Sequence, residues 1–384
     1  MKVLLRAPLL TMSGYGVHSR QVFEWLYNKK DIDLYVECLN WGMTPWLIDS
    51  DMEDGLIGKI MECSKRLEPP YDISFQLQLP DEWDTKLGKI NIGMSAVVET
   101  DRCNPKWVTA VNNMDHVIVP SSFTKRVLKR SGIVTQNISV VHENFNKNIF
   151  NFDKINFDFK TNFNFLLIAQ LNANNPIDDR KNIFNTIKWI AETFKDNPDV
   201  GIVLKTNSGK GTTIDKKITE NILNNIVKHV GKKQFPKIYL FHGNMTSKEV
   251  AGFYNHEKIK CLVSATRGEG YGLPLVDAAS AGMPVIATNW SGHLDFLGKD
   301  FVKIDYDIVS IRKEKVDNRI FFEGHSWAEP KEEDFKNKIL DVYKNFSNHK
   351  KVALELKNKI IENFCQEKIF KDYDKIFESI IGKK

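Results

Sequence analysis

The chain has 384 residues, 42% of them hydrophobic and 27% charged, with a formal net charge of +5. That length suits two domains, the composition is that of a globular chain in water, and the scattered basic excess is too slight by itself to argue for nucleic-acid binding. It suits instead an anionic small ligand or a weak attraction to an acidic surface, such as a membrane face.

Residues 2–7, KVLLRA, read as a short buried strand. A loop with Gly14 and Gly16 follows, then a helix over 17–30 with Val22, Phe23 and Leu26 on one face and lysines in its last turn. Further strands are expected at 32–39, 71–78 and 90–98. Residues 116–132 read as strand, turn and helix, closed by Gly132, with Ser121, Ser122 and Thr124 as capping residues. Residues 138–145 read as another strand. This β-α alternation predicts a parallel sheet with helices on both faces.

Between 146 and 164 the chain turns rich in Asn, Phe, Lys and Asp, without helical or strand period, which predicts a linker with the domain joint near residue 155. The alternation then restarts. A strand at 163–170 leads to a helix at 181–195 with Ile183, Ile187, Ile190 and Phe194 on one stripe. Strands follow at 201–206, 237–243, 260–265 and 284–288, and the charged tail from Glu332 onward is helical. The expected organisation is an α/β fold. An acceptor-side domain spans 1–155, a ligand-binding domain spans 156–362, and a last helix spans 363–384. Both glycine-rich turns should face a cleft between the domains, because open α/β sheets bind ligands at the carboxyl ends of their strands.

No run of residues is long and apolar enough to span a bilayer. The opening MKVLLRAPLL is interrupted by Arg6 and reads as a strand rather than a leader. The five cysteines are far apart, with no CxxC pair, which points to a reducing compartment and the cytoplasm.

The most informative stretch is 265–290, ATRGEGYGLPLVDAASAGMPVIATNW. A strand ends, Gly268, Gly270 and Gly272 follow within five residues, and Pro274 suits the first turn of a helix. The backbone N–H groups of Tyr271, Gly272 and Leu273, with the helix dipole, would form an anion site that glycines let a ligand approach closely. Asp277, one turn in, can accept from a pair of hydroxyls, and Glu269 can meet another. The spacing alone equally allows a Gly-Pro helix start with a solvated Asp277. Arg180 and Lys181 stand at a predicted helix N-terminus, where positive charge is unfavourable without an anion nearby. Gly14 and Gly16, without a third glycine, make a poor dinucleotide fingerprint. Glu37, at the end of the second strand, leaves a dehydrogenase reading of the first half open.

The string GEGYGLPLVDAASAGMPVIAT closely resembles the nucleotide-sugar motif of retaining glycosyltransferases of the GT-B fold, in particular family 4, the glycosyl transferases group 1. The resemblance extends to SGYGVHSRQV, to VETDRCNPKWVTAVNNMDHVIVPSSFTKRVLKRSGI, to DDRKNIFNTIKWI and to the last helix. It implies two Rossmann-like domains facing a cleft, with the last helix crossing back to the first. It implies a hexosyltransferase acting with retention and without a metal or other cofactor, from a UDP- or GDP-sugar to a hydroxyl acceptor such as a glycan or glycolipid. The family's pair of acids, eight residues apart, falls on Glu269 and Asp277, where the second is one methylene shorter than the family's glutamate. Glu269, Lys181 and Glu99 take the catalytic positions. Gly14, Gly16, Arg180, Lys205, Gly270, Tyr271, Gly272, Leu273 and Asp277 take the donor-binding ones. Gln170 and Leu171 stand where the family often has another arginine, and Lys205 can supply that charge. His18 and His142 read as structural, and the acidic pairs at Asp51–Asp54 and Asp178–Asp179 have no metal-ligand context. Two other readings stay open. One is a GT-B enzyme glycosylating modified DNA, and the other a non-catalytic nucleotide-sugar-binding protein of the same fold.

Overall fold

The computed structural model describes residues 1–65, 69–171, 179–230 and 236–382. The chain divides into two compact units. The first comprises Met1–Asn144, Asp317–His325 and Phe364–Lys384, and the second Phe145–Val316 and Ser326–Asn363.

The first unit is built on a parallel sheet of β1 (Lys2–Ala7), β2 (Asp33–Cys38), β3 (Tyr71–Leu77), β4 (Gly88–Met94), β5 (His116–Val119) and β6 (Ile138–Val140). The strand order is β2-β1-β3-β4-β5-β6, so the chain starts in the interior and winds outward both ways. Central strands of such a sheet are covered on both faces and run apolar without alternating. Val3, Leu5, Ile73, Phe75 and Ile92 are accordingly buried. The connecting helices are α1 (Gly14–Tyr27), α2 (Leu56–Cys63), α3 (Pro105–Asn113) and α4 (Ser122–Ser131). Ser121 caps α4 by accepting from the Thr124 amide. The last helix, Gln366–Ile381, completes this core with Ile369, Tyr373 and Phe377. Trp25 of α1 stacks on Tyr373 at 4.9 Å and donates its indole N–H to Asp374 at 2.7 Å. His18 Nε2 lies 3.0 Å from the Tyr373 hydroxyl.

The second unit repeats the architecture with β7 (Phe163–Ile168), β8 (Val200–Thr206), β9 (Lys237–His242), β10 (Ile259–Ser264), β11 (Val285–Thr288) and β12 (Val302–Ile304), all parallel. The order is β12-β11-β10-β7-β8-β9. Its helices are α5 (Ile183–Thr193), α6 (Thr213–Val230), α7 (Ser247–Asn255), α8 (Leu273–Ser280), α9 (Leu294–Leu297), α10 (Glu332–Lys344) and α11 (Phe346–Phe364). The stripe Ile183, Ile187, Ile190 and Phe194 is buried against this sheet, as its spacing predicts. An antiparallel hairpin, β13 (Tyr306–Ser310) with β14 (Ser326–Pro330), stands apart from both sheets and has no counterpart in the sequence reading.

Several expectations change. Gly14 and Gly16, read as a loop, lie in the first turn of α1, and that helix ends at Tyr27 with no lysine in its last turn. The strand expected over 138–145 ends at Val140. The strand expected over 90–98 ends at Met94, because Val97 takes a left-handed φ of 57° and the Tyr15 hydroxyl accepts from the Ala96 amide at 3.0 Å. The Asn- and Phe-rich stretch is no slack linker. Asn146 caps a helical turn at Lys147–Phe150, and Phe159 is fully buried, edge-on to Tyr239 and His256.

Candidate active site

The second unit places the glycine-rich loop between β10 and α8, at the carboxyl end of a central strand. Gly272 is the N-cap of α8 and Pro274 lies in its first turn. From the other side the loop is held by the turn at Ser291–His293. The Glu269 amide donates to Ser291 Oγ at 2.8 Å, and the Gly292 amide donates to the Glu269 carbonyl at 2.9 Å. A Cβ on Gly292 would lie 2.1 Å from the Gly270 carbonyl oxygen, so the two loops pack backbone to backbone. Ser291 takes a φ of 91°, a conformation costly for a residue with a side chain.

Glu269 is 7% exposed, and its carboxylate accepts from the Lys181 ammonium at 2.7 and 2.8 Å, with Arg180 Nη1 at 3.4 Å. Burial opposes ionisation, but Lys181 and Arg180 outweigh it and hold the carboxyl down at about 2. The anion demanded by the basic start of α5 is thus supplied within the chain. The Asp179 carboxylate shapes that helix start, accepting from the amides of Lys181 and Ile183 at 3.0 and 2.8 Å. Asp178 lies outside the described residues.

Arg267, one residue before the first glycine, ties these pieces together. Its Nε and Nη2 donate to Glu329 of β14 at 2.6 and 2.8 Å, and its Nη1 donates to the Asp179 carbonyl at 2.5 Å. Its amide donates to the Arg180 carbonyl at 2.8 Å, and its guanidinium lies over the Trp327 ring. The fork geometry of arginine matches a carboxylate in two bonds. One buried side chain therefore fixes the basic segment against the acidic loop. A cavity of about 20 Å³, on the order of one water molecule, is lined by Lys181, Glu269, Gly272 and Leu275.

A sequence model of the glycosyl transferases group 1 matches residues 177–305, and one of a family 4 glycosyltransferase in conflict systems matches residues 255–369. Over residues 177–305 the chain is thus similar to the group 1 glycosyltransferases. The uncharacterized glycosyltransferase MJ1069 of Methanocaldococcus jannaschii is 23% identical over 272 residues, which are 70% of this chain. The match spans 59% of that relative's length. Among solved structures, sucrose-phosphate synthase from Thermosynechococcus elongatus is 13% identical with a TM-score of 0.66, all of both chains being covered. The Anabaena protein HepE, in complex with UDP and glucose, is 11% identical with a TM-score of 0.61, covering 99% of this chain and 100% of its own. These likenesses show the GT-B fold, with its two parallel-sheet Rossmann-like domains.

The other residues singled out from the sequence sit as follows. Asp277 is buried in α8 and accepts from the Asn146 amide at 2.7 Å. Burial raises its carboxyl to about 7, against the opposing pull of that amide. Lys205, last but one in β8, is buried and donates to the Gly243 carbonyl at 2.6 Å. Burial lowers its pKa to about 8. Tyr271 is buried against Phe296. The structure therefore joins Arg180, Lys181 and Glu269 directly, while Asp277 and Lys205 have separate partners. Glu99, Gly14 and Gly16 belong to the first unit. There Gly16 sits in the first turn of α1, where a Cβ would meet the Thr11 carbonyl oxygen at 2.1 Å, and Glu99 lies in a bend after the irregular segment 95–98. Glu37 pairs with Arg6 of the neighbouring strand at 3.1 Å.

Sequence reasoning missed Arg267, Glu329, Asn146 and His293. The one visible signal is Arg267, a lone cation between a buried strand and a run of glycines. Among the described residues no group of three His, Cys, Asp or Glu side chains is placed to hold a metal ion, and no helix is long and apolar enough to cross a membrane.

Proposed function

We propose that the chain is a retaining hexosyltransferase that moves a sugar from a UDP- or GDP-sugar to a hydroxyl acceptor, such as a glycan or glycolipid, without a metal ion. The observation that carries this reading is the cluster of Lys181, Arg180 and Glu269 on the glycine loop that opens α8. HepE, of the same fold, is described in complex with UDP and glucose, which supports a nucleotide sugar as donor here.

Departure of a nucleoside diphosphate builds charge on its β-phosphate, and preorganised donors aimed at that charge are usually the largest catalytic contribution. Lys181 and Arg180 would provide it with the backbone at Gly270–Leu273, and Lys205 would add the charge missing at Gln170 and Leu171. Glu269 holds Lys181 in place before any ligand arrives and would orient the donor sugar. Asp277 would accept from the ribose hydroxyls. Glu99, Gly14 and Gly16 are proposed as further substrate-binding residues.

Replacing Lys181 by Ala should lower transfer or donor hydrolysis by roughly 100-fold or more, the range seen when one such donor is removed. Lys181→Arg should retain part of it. Full activity of the alanine variant, with its circular dichroism unchanged, would remove Lys181 from the site.

A further inference from the structure

His293 is fully buried at the start of α9, packed against the loop that opens α8: a Cβ built on Gly272 would lie 3.3 Å from its own Cβ. Its Nε2 lies 2.7 Å from the Thr288 carbonyl oxygen. A carbonyl only accepts, so Nε2 carries the proton and Nδ1 presents a lone pair. Nδ1 is itself buried and has no hydrogen-bond partner. A buried acceptor with no donor from the chain is open to a donor from a ligand. Burial keeps the ring neutral, with its pKa below the ordinary value, and the charges of Glu269 and Lys181 both reach it. The residue is held there by a strained turn, since Ser291 takes its φ of 91° while its hydroxyl and the Gly292 amide grip the backbone of Glu269. Strain and an unfilled polar atom together mark a place shaped for a ligand rather than for stability.

We infer that His293 is a donor-sugar binding residue, its Nδ1 accepting a hydroxyl proton of the transferred hexose beside Glu269. This rests on the proposed nucleotide-sugar site and adds to it an acceptor that no acidic motif announces. A neutral acceptor suits the position. It takes a hydroxyl proton without adding negative charge next to a departing diphosphate, which a third carboxylate would do.

The two ring nitrogens can be separated by substitution. In Asn the side-chain oxygen takes the place of Nδ1. In Gln the side-chain N–H takes the place of Nε2 and keeps the bond to Thr288. Affinities of the full chain for the bare nucleoside diphosphate and for its sugar conjugate are measured by calorimetry, with the KM of the conjugate. His293→Gln should weaken the conjugate by about 3–10-fold, the worth of one hydrogen bond, and leave the bare diphosphate unchanged. His293→Asn should stay within about 2-fold of the native chain for both. Gln binding the conjugate normally while Asn fails would assign His293 only its bond to Thr288 and overturn the inference. So would an equal loss for conjugate and diphosphate. A native chain that binds no nucleoside diphosphate would instead overturn the proposed function, so the two failures are distinct.

Discussion

Asp277 combines two demands that pull in opposite directions. Its carboxyl sits among buried groups with the Asn146 amide as its partner, and burial raises its pKa from 3.8 to about 7. The folded chain therefore holds this proton more tightly than the unfolded chain. Ionisation costs stability progressively as pH rises from about 4 to 7, and the full cost is present above 7. Asp277→Asn removes that cost. Near pH 8 it should raise unfolding stability by roughly 2–4 kcal/mol, and near pH 4 it should change little, as read from urea unfolding at both pH values. The same variant should bind nucleoside diphosphate more weakly, because an amide is a poorer partner for two ribose hydroxyls. A variant less stable than the native chain at pH 8 would show that Asp277 is ionised and well paired in the folded state. Arg267 makes a second residue-scale case. Its guanidinium is 2% exposed and satisfied by Glu329 and the Asp179 carbonyl. Arg267→Ala leaves the buried Asp179 carbonyl without this donor, while Glu329, 35% exposed, stays within reach of water, so it should cost about 1–3 kcal/mol, and denaturant unfolding would expose a smaller loss.

Among the elements, the turn Ser291–His293 matters more than its length suggests. Gly292→Ala has no room for its methyl group beside the Gly270 carbonyl, so the acidic loop must shift. Donor affinity should fall by about 10-fold or more, since small displacements at a reacting centre are costly, and unchanged affinity would show that the loop tolerates the shift. How far the sequence revealed these elements follows from the range of the interactions involved. The stripe of Ile183, Ile187, Ile190 and Phe194 shows α5 because one helix face is a local pattern. The loop at Gly268–Gly272 was legible from its glycines and Pro274. The hairpin of β13 and β14 was not, because its short, partly exposed strands lack alternation and it is fixed by Arg267 from some sixty residues away. Nor does any local pattern pair Lys181 with Glu269, 88 positions apart. The end of β4 at Met94 was hidden for the same reason, since Tyr15 of α1 fixes the backbone beyond it.

On the scale of the whole molecule, two parallel sheets each carry their own buried core, and the last helix belongs to the first. Removing residues 366–384 would strip Ile369, Tyr373 and Phe377 from that core and leave His18 and Trp25 without their partners. The truncated chain should lose the cooperative unfolding of the first unit, visible as a missing or much earlier thermal transition. The chain is proposed to hold a nucleoside diphosphate at the loop opening α8. A ligand that binds only the folded chain raises its apparent stability, by about 2.7 kcal/mol at a hundredfold excess over Kd. The direct measurement is the thermal unfolding of the native chain and of Lys181→Ala with UDP, GDP, ADP and their sugar conjugates. One base should raise the Tm of the native chain by several degrees, and the Lys181 variant should lose most of that shift. No shift with any nucleotide, or an equal shift in both proteins, would contradict it.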